Sequence, residues 1–289
     1  MVQPFVKTRG LRKCVSFLIV VCSILLTSNF CFFLESAGAL EILRGKAIQG
    51  GLLIFKTDPG NIIRINGQKV TVSSEGFAAG GFHRNDTKIL IVEAVLPNGQ
   101  TKKLSINPEI RKYTEQRISG LPNNMVNPPS HLMERIHRER KLVISARSHD
   151  TPLEGFSKKF VWPVIGIVTG TYGSRRILNG KPRSPHYGID IAAPSGTKVF
   201  APQSGIIRMV AYLYFTGWTV ILDHGHGLSS TFLHLRETSV SEGNAVKQGD
   251  AIGAVGSTGR STGAHLDWRI NLFEKRLDPF LVAGPMPTK

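Results

Sequence analysis

The sequence predicts an all-β protein with a small N-terminal β-sandwich, a basic helical linker, and a C-terminal domain built as a β-sheet or barrel. Short apolar runs alternate throughout with turn residues, and the 289 residues include 30 glycines and 16 prolines without a period. A sustained helical pattern occurs only in the linker. The hydrophobic content of 41% and charged content of 19% are typical of a globular chain.

Residues 1–39 have the pattern of a secretory signal peptide. A basic start precedes an apolar run from Val15 to Leu34, and the small residues Ala37, Gly38 and Ala39 follow. We expect cleavage after Ala39. The alternative is an uncleaved membrane anchor, because the apolar run is long enough to span a bilayer. Both alternatives predict an exported protein of the cell envelope, and we expect the periplasm.

The cysteines and the net charge limit the kinds of metal site and partner that the exported part can have. All three cysteines lie within residues 1–39, so the exported part is expected to have neither disulfide bonds nor a thiolate zinc site. The formal net charge is +16, and residues 1–39 hold only four basic residues and one acidic residue. The basic surface therefore belongs to the exported part, where we expect an anionic cell-wall polymer and not nucleic acid as the partner.

Residues 40–110 are predicted to form the β-sandwich, and residues 111–159 the linker. The sandwich prediction rests on six or seven apolar runs at close spacing, separated by turn signals such as Asn66-Gly67. The linker is rich in proline and contains a basic helix that begins after Pro129, with Ser130 as its predicted N-cap. Its apolar face is predicted to hold Leu132, Ile136 and Val143.

Residues 160–289 are predicted to form the second β domain, which holds the candidate site. His186 and Asp190 are four residues apart with Gly188 between them, and this spacing fits a turn that leads into a strand. A metal site and a hydrogen-bonded His–Asp pair both remain open for this pair alone. His265 and Asp267 are two residues apart, so a strand would place both side chains on the same face.

The motifs of this domain resemble those of the LytM/lysostaphin-type zinc metallopeptidases, which cut peptide bonds in peptidoglycan. The resemblance covers residues 162–272 and rests on motifs that follow one another in the expected order. These are "WPVIGIVTGTYGSR", "HYGIDIAAPSGTKVFAPQSGII", "VILDHGHGLSSTFLHL" and "VKQGDAIGAVGSTGRSTGAHLDWRI".

The resemblance assigns a role to each candidate residue. His186 and Asp190 match the first two zinc ligands of the family, and His234 and His265 match its two catalytic histidines. The third ligand of the family is a histidine, and Asp267 stands at that position. We expect Asp267 to bind the metal, with one Zn²⁺ per chain, although manganese or another divalent ion is possible.

The substitution at position 267 has consequences for the expected chemistry. Two carboxylates and one imidazole formally cancel the charge of the metal, which would raise the pKa of its bound water. Alternatively, His265, His224 or His226 could supply the third ligand. Because the family usually has "DHG" at residues 223–225, the resemblance implies a structural role for His224 and a variable turn position for His226.

The resemblance implies an exported zinc metalloendopeptidase that hydrolyses the peptide cross-links of peptidoglycan. In this hypothesis His234 and His265 stabilise the oxyanion and transfer protons. The alternative is a non-catalytic relative that binds the cell wall or activates an amidase. The bond that is cut and the oligomeric state stay open.

Overall fold

The computed structural model describes residues 40–287. The predicted signal peptide or anchor of residues 1–39 lies outside this range. Among the described residues, none of the helices combines the length and the apolarity that crossing a membrane requires.

Two small antiparallel sheets pack face to face at the start of the described chain. Their strand orders are β1-β2-β5 and β4-β3-β6-β7. Side chains of both sheets, among them Phe55 and Val92, form one buried cluster between them. The strands are β1 (Leu40–Gly45), β2 (Leu52–Thr57), β3 (Ile62–Ile65), β4 (Gln68–Val70), β5 (Phe77–Gly81), β6 (Leu90–Val95) and β7 (Thr101–Ile106).

Strand β2 is buried on both of its faces. Leu53 and Phe55 lie in the cluster between the two small sheets, whereas Leu52 and Ile54 lie in the larger core of the C-terminal region. Successive side chains of a strand point to opposite faces, so an uninterrupted apolar run is required here. The division into separate domains at residues 110 and 159 stays a prediction.

The region predicted as the linker contains one strand and two α-helices. Strand β8 (Glu115–Ile118) pairs in parallel with a strand of the C-terminal region, a pairing that the sequence did not predict. Helix α1 (Asn123–Val126) and a 3₁₀ turn (Ser130–Leu132) follow, and then the basic helix α2 (Met133–Arg147). A second 3₁₀ turn covers Gly155–Ser157.

The predicted N-cap role of Ser130 is wrong. Helix α2 begins at Met133, and no side chain caps its N-terminus or that of the preceding 3₁₀ turn. The extended residue at the start is Pro129, with φ −60° and ψ 151°. Ser130 itself belongs to the 3₁₀ turn, so it cannot take the extended conformation of an N-cap residue.

A ten-stranded sheet forms the C-terminal region. Its main strand order is β17-β14-β15-β16-β19-β12-β9, and β13, β18 and β20 pair at its margins. A second, three-stranded sheet has the order β11-β10-β8. The elements are β9 (Ile167–Gly170), β10 (Arg175–Leu178), β11 (Lys181–Arg183), β12 (Ile189–Ala192), β13 (Lys198–Phe200), β14 (Gly205–Leu213), β15 (Gly217–Gly225), β16 (Leu228–Thr238), β17 (Ala245–Val246), β18 (Ala251–Val255), β19 (His265–Leu272), β20 (Lys275–Leu277) and α3 (Pro279–Ala283).

The two faces of the large sheet have different coverings. One face carries the main core, which includes Leu266, Trp268 and Ile270 of β19. On the other face, Ala146 of α2 packs with a small apolar cluster that contains Ile221 of β15. The prediction of a mostly β fold is confirmed, and the candidate site lies on the face that α2 partly covers.

Candidate metal centre

The candidate metal centre forms where β12 and β19 pair. In this antiparallel pair Asp190 lies directly opposite Asp267, and His186 lies just before β12. Ligand atoms of these three residues lie within 4.8 Å of one another, and all three residues are buried. This is the only cluster of its kind among residues 40–287. The structure therefore brings together the three residues that the sequence nominated as metal ligands.

Two glycines leave room for the two carboxylates. A Cβ atom at Gly188 would lie 2.6 Å from Oδ1 of Asp267, and one at Gly170 would lie 2.3 Å from Oδ2 of Asp190. Gly188 lies at a bend directly before β12 and does not have a positive φ, so its missing side chain is needed for this close approach and not for a left-handed backbone conformation. The turn that the sequence predicted before this strand is present, and the close approach to Asp267 is a second reason for the glycine.

The polar atoms of the centre fit a bound divalent metal. Both ring nitrogens of His186 and Oδ1 of Asp190 are buried and lack a hydrogen-bond partner. Nε2 of His186 lies 3.1 Å from Oδ1 of Asp190, but the two are not aligned as a hydrogen bond. Buried polar atoms are normally satisfied, and an imidazole nitrogen with carboxylate oxygens is a donor set for zinc or manganese.

An arginine holds each of the two carboxylates. Arg269 donates from Nε to Oδ1 of Asp267 at 2.9 Å and from Nη2 to Oδ2 at 2.6 Å. Arg176 donates to Oδ2 of Asp190. Burial opposes ionisation of Asp267, but the charge and hydrogen bonds of Arg269 outweigh burial and hold the pKa of this carboxyl far below its ordinary value.

The arginines change the charge balance expected from the sequence. Two carboxylates alone would cancel the charge of a divalent metal, but Arg176 and Arg269 restore two positive charges. A carboxylate has about four lone-pair positions, so Asp267 can accept from Arg269 and still ligate a metal. Asp267 should bind a metal more weakly than a carboxylate without such a partner, because the positive guanidinium offsets part of its negative charge.

The two candidate catalytic histidines lie side by side in the cleft, with ring centroids 4.9 Å apart. Nδ1 of His234 lies 2.7 Å from the carbonyl oxygen of Thr258, and Nδ1 of His265 lies 2.9 Å from that of Gly263. A carbonyl oxygen can only accept, so Nδ1 carries the proton in both rings. Each Nε2 is left as a proton acceptor, and Nε2 of His265 lies 3.8 Å from Oδ1 of Asp190.

His234 enters the cleft at an irregularity of strand β16. The register against β15 shifts between Phe232 and Leu235, so an extra residue is inserted there. His234 has a left-handed φ of 62°, which interrupts the alternation of the strand. Burial lowers the pKa of His234 to about 4, and the ring is therefore neutral at pH 7.

His224 and His226 lie outside the centre. Nδ1 of His224 lies 3.0 Å from the carbonyl oxygen of Ser204, and Nε2 lies 2.8 Å from Oγ of Ser230, so neither nitrogen is free for a metal. His226 stacks on Phe156 with ring centroids 4.1 Å apart. Neither histidine belongs to the metal cluster, so the alternative in which one of them replaces Asp267 finds no support in the geometry.

A cleft of about 300 Å³ opens over the centre. Its walls include both candidate catalytic histidines, and also Gln116 and Leu121 from the region before β9. Sequence reasoning missed three arginines near the centre: Arg176 and Arg260, which line this cleft, and Arg269, which pairs with Asp267. Only Arg269 had a usable signal, because it follows Asp267 by two residues on β19 and so shares its face.

Comparison with known proteins agrees with this geometry. Residues 184–279 match the model described as Peptidase family M23, and this segment is a peptidase M23 domain. A solved structure from Pseudomonas aeruginosa, assigned to peptidase M23, aligns with a TM-score of 0.63 and 26% identity. The alignment covers 84% of this chain and 96% of that one, so the similarity includes the regions before the M23 domain.

Curated relatives match about a third of the chain. The DD-carboxypeptidase/endopeptidase Mpg of Neisseria meningitidis is 42% identical over 102 residues, which are 35% of this chain and 24% of that protein. The peptidoglycan DD-endopeptidase ShyC of Vibrio cholerae is 36% identical over 103 residues, again 35% and 24% of the two chains. The matched segment thus spans about a quarter of each relative. The resemblance that the motifs predicted is confirmed for this domain, and an M23 domain implies a metal.

Proposed function

We propose that this chain is a zinc metallopeptidase that hydrolyses peptide cross-links of peptidoglycan. The observation that carries the proposal is the buried cluster of His186, Asp190 and Asp267, which lies beside two histidines with free Nε2 atoms. In this proposal the three clustered residues hold one Zn²⁺ per chain. The bound metal would polarise the scissile carbonyl and lower the pKa of a water molecule.

The histidines of the cleft supply the proton transfers. Each ring donates Nδ1–H to a carbonyl oxygen, which fixes the orientation of the ring and directs Nε2 into the cleft. In its neutral state, such a nitrogen can accept a proton from the attacking water and later deliver it to the leaving amine. A protonated ring can also donate a hydrogen bond to the oxyanion of the tetrahedral intermediate. His234 is neutral at pH 7 because it is buried, so its Nε2 carries no proton when the water molecule attacks.

The substrate class follows from the relatives and from charge. ShyC and similar relatives are named peptidoglycan DD-endopeptidases, and the matched segment is their common region with this chain. Arg176 and Arg260 line the cleft, and peptidoglycan stem peptides carry carboxylates that such a cleft attracts. We also propose that the protein acts outside the cytoplasm, because residues 1–39 have the composition of an export signal.

A second candidate function is a non-catalytic M23 domain that binds the cell wall or activates an amidase. One observation favours it. Arg269 occupies both oxygens of Asp267, so the guanidinium competes with a metal for this carboxylate. If Arg269 keeps the carboxylate, the centre retains only two ligands, and zinc binding would be weak.

Cleavage of isolated peptidoglycan by the full chain distinguishes the two candidates. The purified protein is loaded with zinc and incubated with the wall, and mass spectrometry identifies the released muropeptides. The peptidase proposal predicts cleaved cross-links with the wild type and none with His265→Ala. His137→Ala is the matched control, because His137 is an exposed residue of α2, and it should retain full activity.

Two results would reject the peptidase proposal. One is the absence of cleavage across pH 5–9 with zinc and with manganese. The other is cleavage that persists unchanged in His265→Ala, which would show that this histidine takes no part in the reaction as proposed. Wall binding without cleavage would support the non-catalytic candidate instead.

A further inference from the structure

A second and larger cavity, of about 870 Å³, lies between helix α2 and the sheet face that carries the metal centre. Strand β19 connects the two sites. His265 and Asp267 lie at the centre, and Arg269 and Asn271, the next residues on the same face, line the cavity. Same-face residues of a strand are about 7 Å apart. The cavity therefore begins within a residue or two of the position where a peptide would be cut.

The cavity has an excess of positive charge. Its walls include Arg147, Arg269 and Arg276. Arg269 pairs with Asp267, but within residues 40–287 neither Arg147 nor Arg276 has a carboxylate partner. Two carboxylates also line the cavity: Glu139 pairs with Arg135, and the exposed Glu274 makes no ion pair with a described residue.

Arg147 is the most buried of these arginines, with 8% of its surface exposed. One Nη2 hydrogen bond reaches Oγ1 of Thr231 at 2.9 Å, and Nε is buried without a partner. Burial, together with the nearby charges of Arg276 and Arg269, lowers the pKa of Arg147 well below its ordinary value. A buried cation is costly without a counter-charge, and a bound anion would supply one.

Arg269 can serve the metal centre and the cavity at once. It holds Asp267 through Nε and Nη2, and Nη1 has no acceptor among the described residues. The guanidinium has five N–H donors in a plane, which suits two oxyanions on different edges. Arg276 adds a further cation, whose guanidinium lies 5.8 Å from the ring centroid of Tyr187.

The cavity lining indicates what kind of anion would fit. The lining combines hydroxyl and amide groups with apolar side chains, and the apolar ones include Ile136, Val143, Leu213, Phe215, Leu233 and Phe273. Planar guanidinium groups match carboxylates through paired hydrogen bonds, and the apolar walls suit a small organic body. We propose that this cavity binds a free carboxylate of the peptide substrate, within one or two residues of the scissile bond, through Arg147, Arg269 and Arg276. The inference rests on the proposed peptidase function.

Calorimetry on the metal-free full chain tests the cavity without any turnover. The probes are N-acetyl-D-alanyl-D-alanine and its C-terminal amide, which differ only in the carboxylate. We expect the acid to bind about tenfold or more tightly than the amide. Arg147→Gln should abolish this preference, and Arg138→Gln, the same change at an exposed position of α2, should preserve it.

Several controls keep the result unambiguous. If Arg147→Gln fails to fold, as judged by circular dichroism, Arg276→Gln takes its place. Inorganic phosphate should compete with the acid, and its failure to compete would argue against binding by the arginines. Equal affinity for acid and amide in the wild type would overturn the inference. If the acid binds more tightly than the amide but peptidoglycan is not cleaved, the proposed peptidase function is wrong and the cavity inference stands. If peptidoglycan is cleaved but acid and amide bind equally, the cavity inference is wrong and the peptidase function stands.

Discussion

The eight residues of strand β19 form two faces with contrasting side chains. On one face Leu266, Trp268 and Ile270 are completely buried in the main core. The other face carries His265, Asp267, Arg269 and Asn271, which run from the metal centre into the arginine cavity. The period of two that defines a strand thus separates the residues for stability from the residues for chemistry. Loss of the cleft histidine and loss of a core side chain should therefore have separable effects on activity and on stability.

The largest effect is expected from the loss of a cleft-face histidine. His265→Ala removes a proton acceptor that already faces the cleft, and we expect cleavage to fall by about 10²–10⁴-fold. The unfolding free energy should fall by only about 1 kcal/mol, because the side chain is 18% exposed and the main loss is its hydrogen bond to the carbonyl oxygen of Gly263. Muropeptide release and urea denaturation measure the two quantities. A large loss of stability would contradict the separation of the faces.

A substitution on the core face is expected to cause a large loss of stability. Trp268 is 0% exposed and makes an edge contact with Trp162 at a centroid distance of 5.7 Å. Trp268→Ala should therefore lower the unfolding free energy by about 3–5 kcal/mol. Tyr212→Ala is the matched control, because Tyr212 is 52% exposed, and it should cost far less. Thermal unfolding that is equal in the two variants would argue against the core assigned to this face.

The sequence predicted those features that depend on neighbouring residues, such as the face of a strand or the position of a turn. Alternation placed His265 and Asp267 on one face, and turn residues between apolar runs predicted an all-β fold. The arginines that hold the carboxylates were not predictable in the same way, because Arg176 reaches Asp190 from another sheet. Strand β8 was missed because its partner, β10, lies far away in the sequence and the pairing is parallel. Such contacts depend on tertiary packing and leave no local pattern.

Substitution of Arg269 tests whether its guanidinium competes with a metal for the carboxylate of Asp267. Arg269→Gln leaves the buried carboxylate without its counter-ion, so we expect zinc to bind about tenfold more tightly. The metal-free protein should become less stable by about 3 kcal/mol. Arg208→Gln is the control, since it breaks the remote pair with Asp223. Zinc affinity measured by competition with a chelator should rise only in the first variant, and an unchanged value would refute the competition.

The smallest effect concerns pH and a histidine away from the cleft. Burial lowers the pKa of His224 to about 4 from its ordinary value of 6.5. Between these values the unfolded chain binds more protons, so the stability from the neutral ring is complete above pH 6.5 and is lost as the pH falls toward 4. At pH 5 this loss is about 2 kcal/mol. Urea denaturation of the metal-free protein at pH 7 and pH 5 should show it, and His224→Gln should reduce the difference by that amount.

The central claim is that Asp267 serves as a metal ligand despite its pairing with Arg269. Anomalous diffraction at the zinc edge from zinc-soaked crystals of the full chain tests this claim most directly. We predict one peak within about 2.0–2.2 Å of a ligand atom of each of His186, Asp190 and Asp267. A centre without a peak, or a peak that contacts only His186 and Asp190 while Arg269 keeps both oxygens of Asp267, would contradict the account.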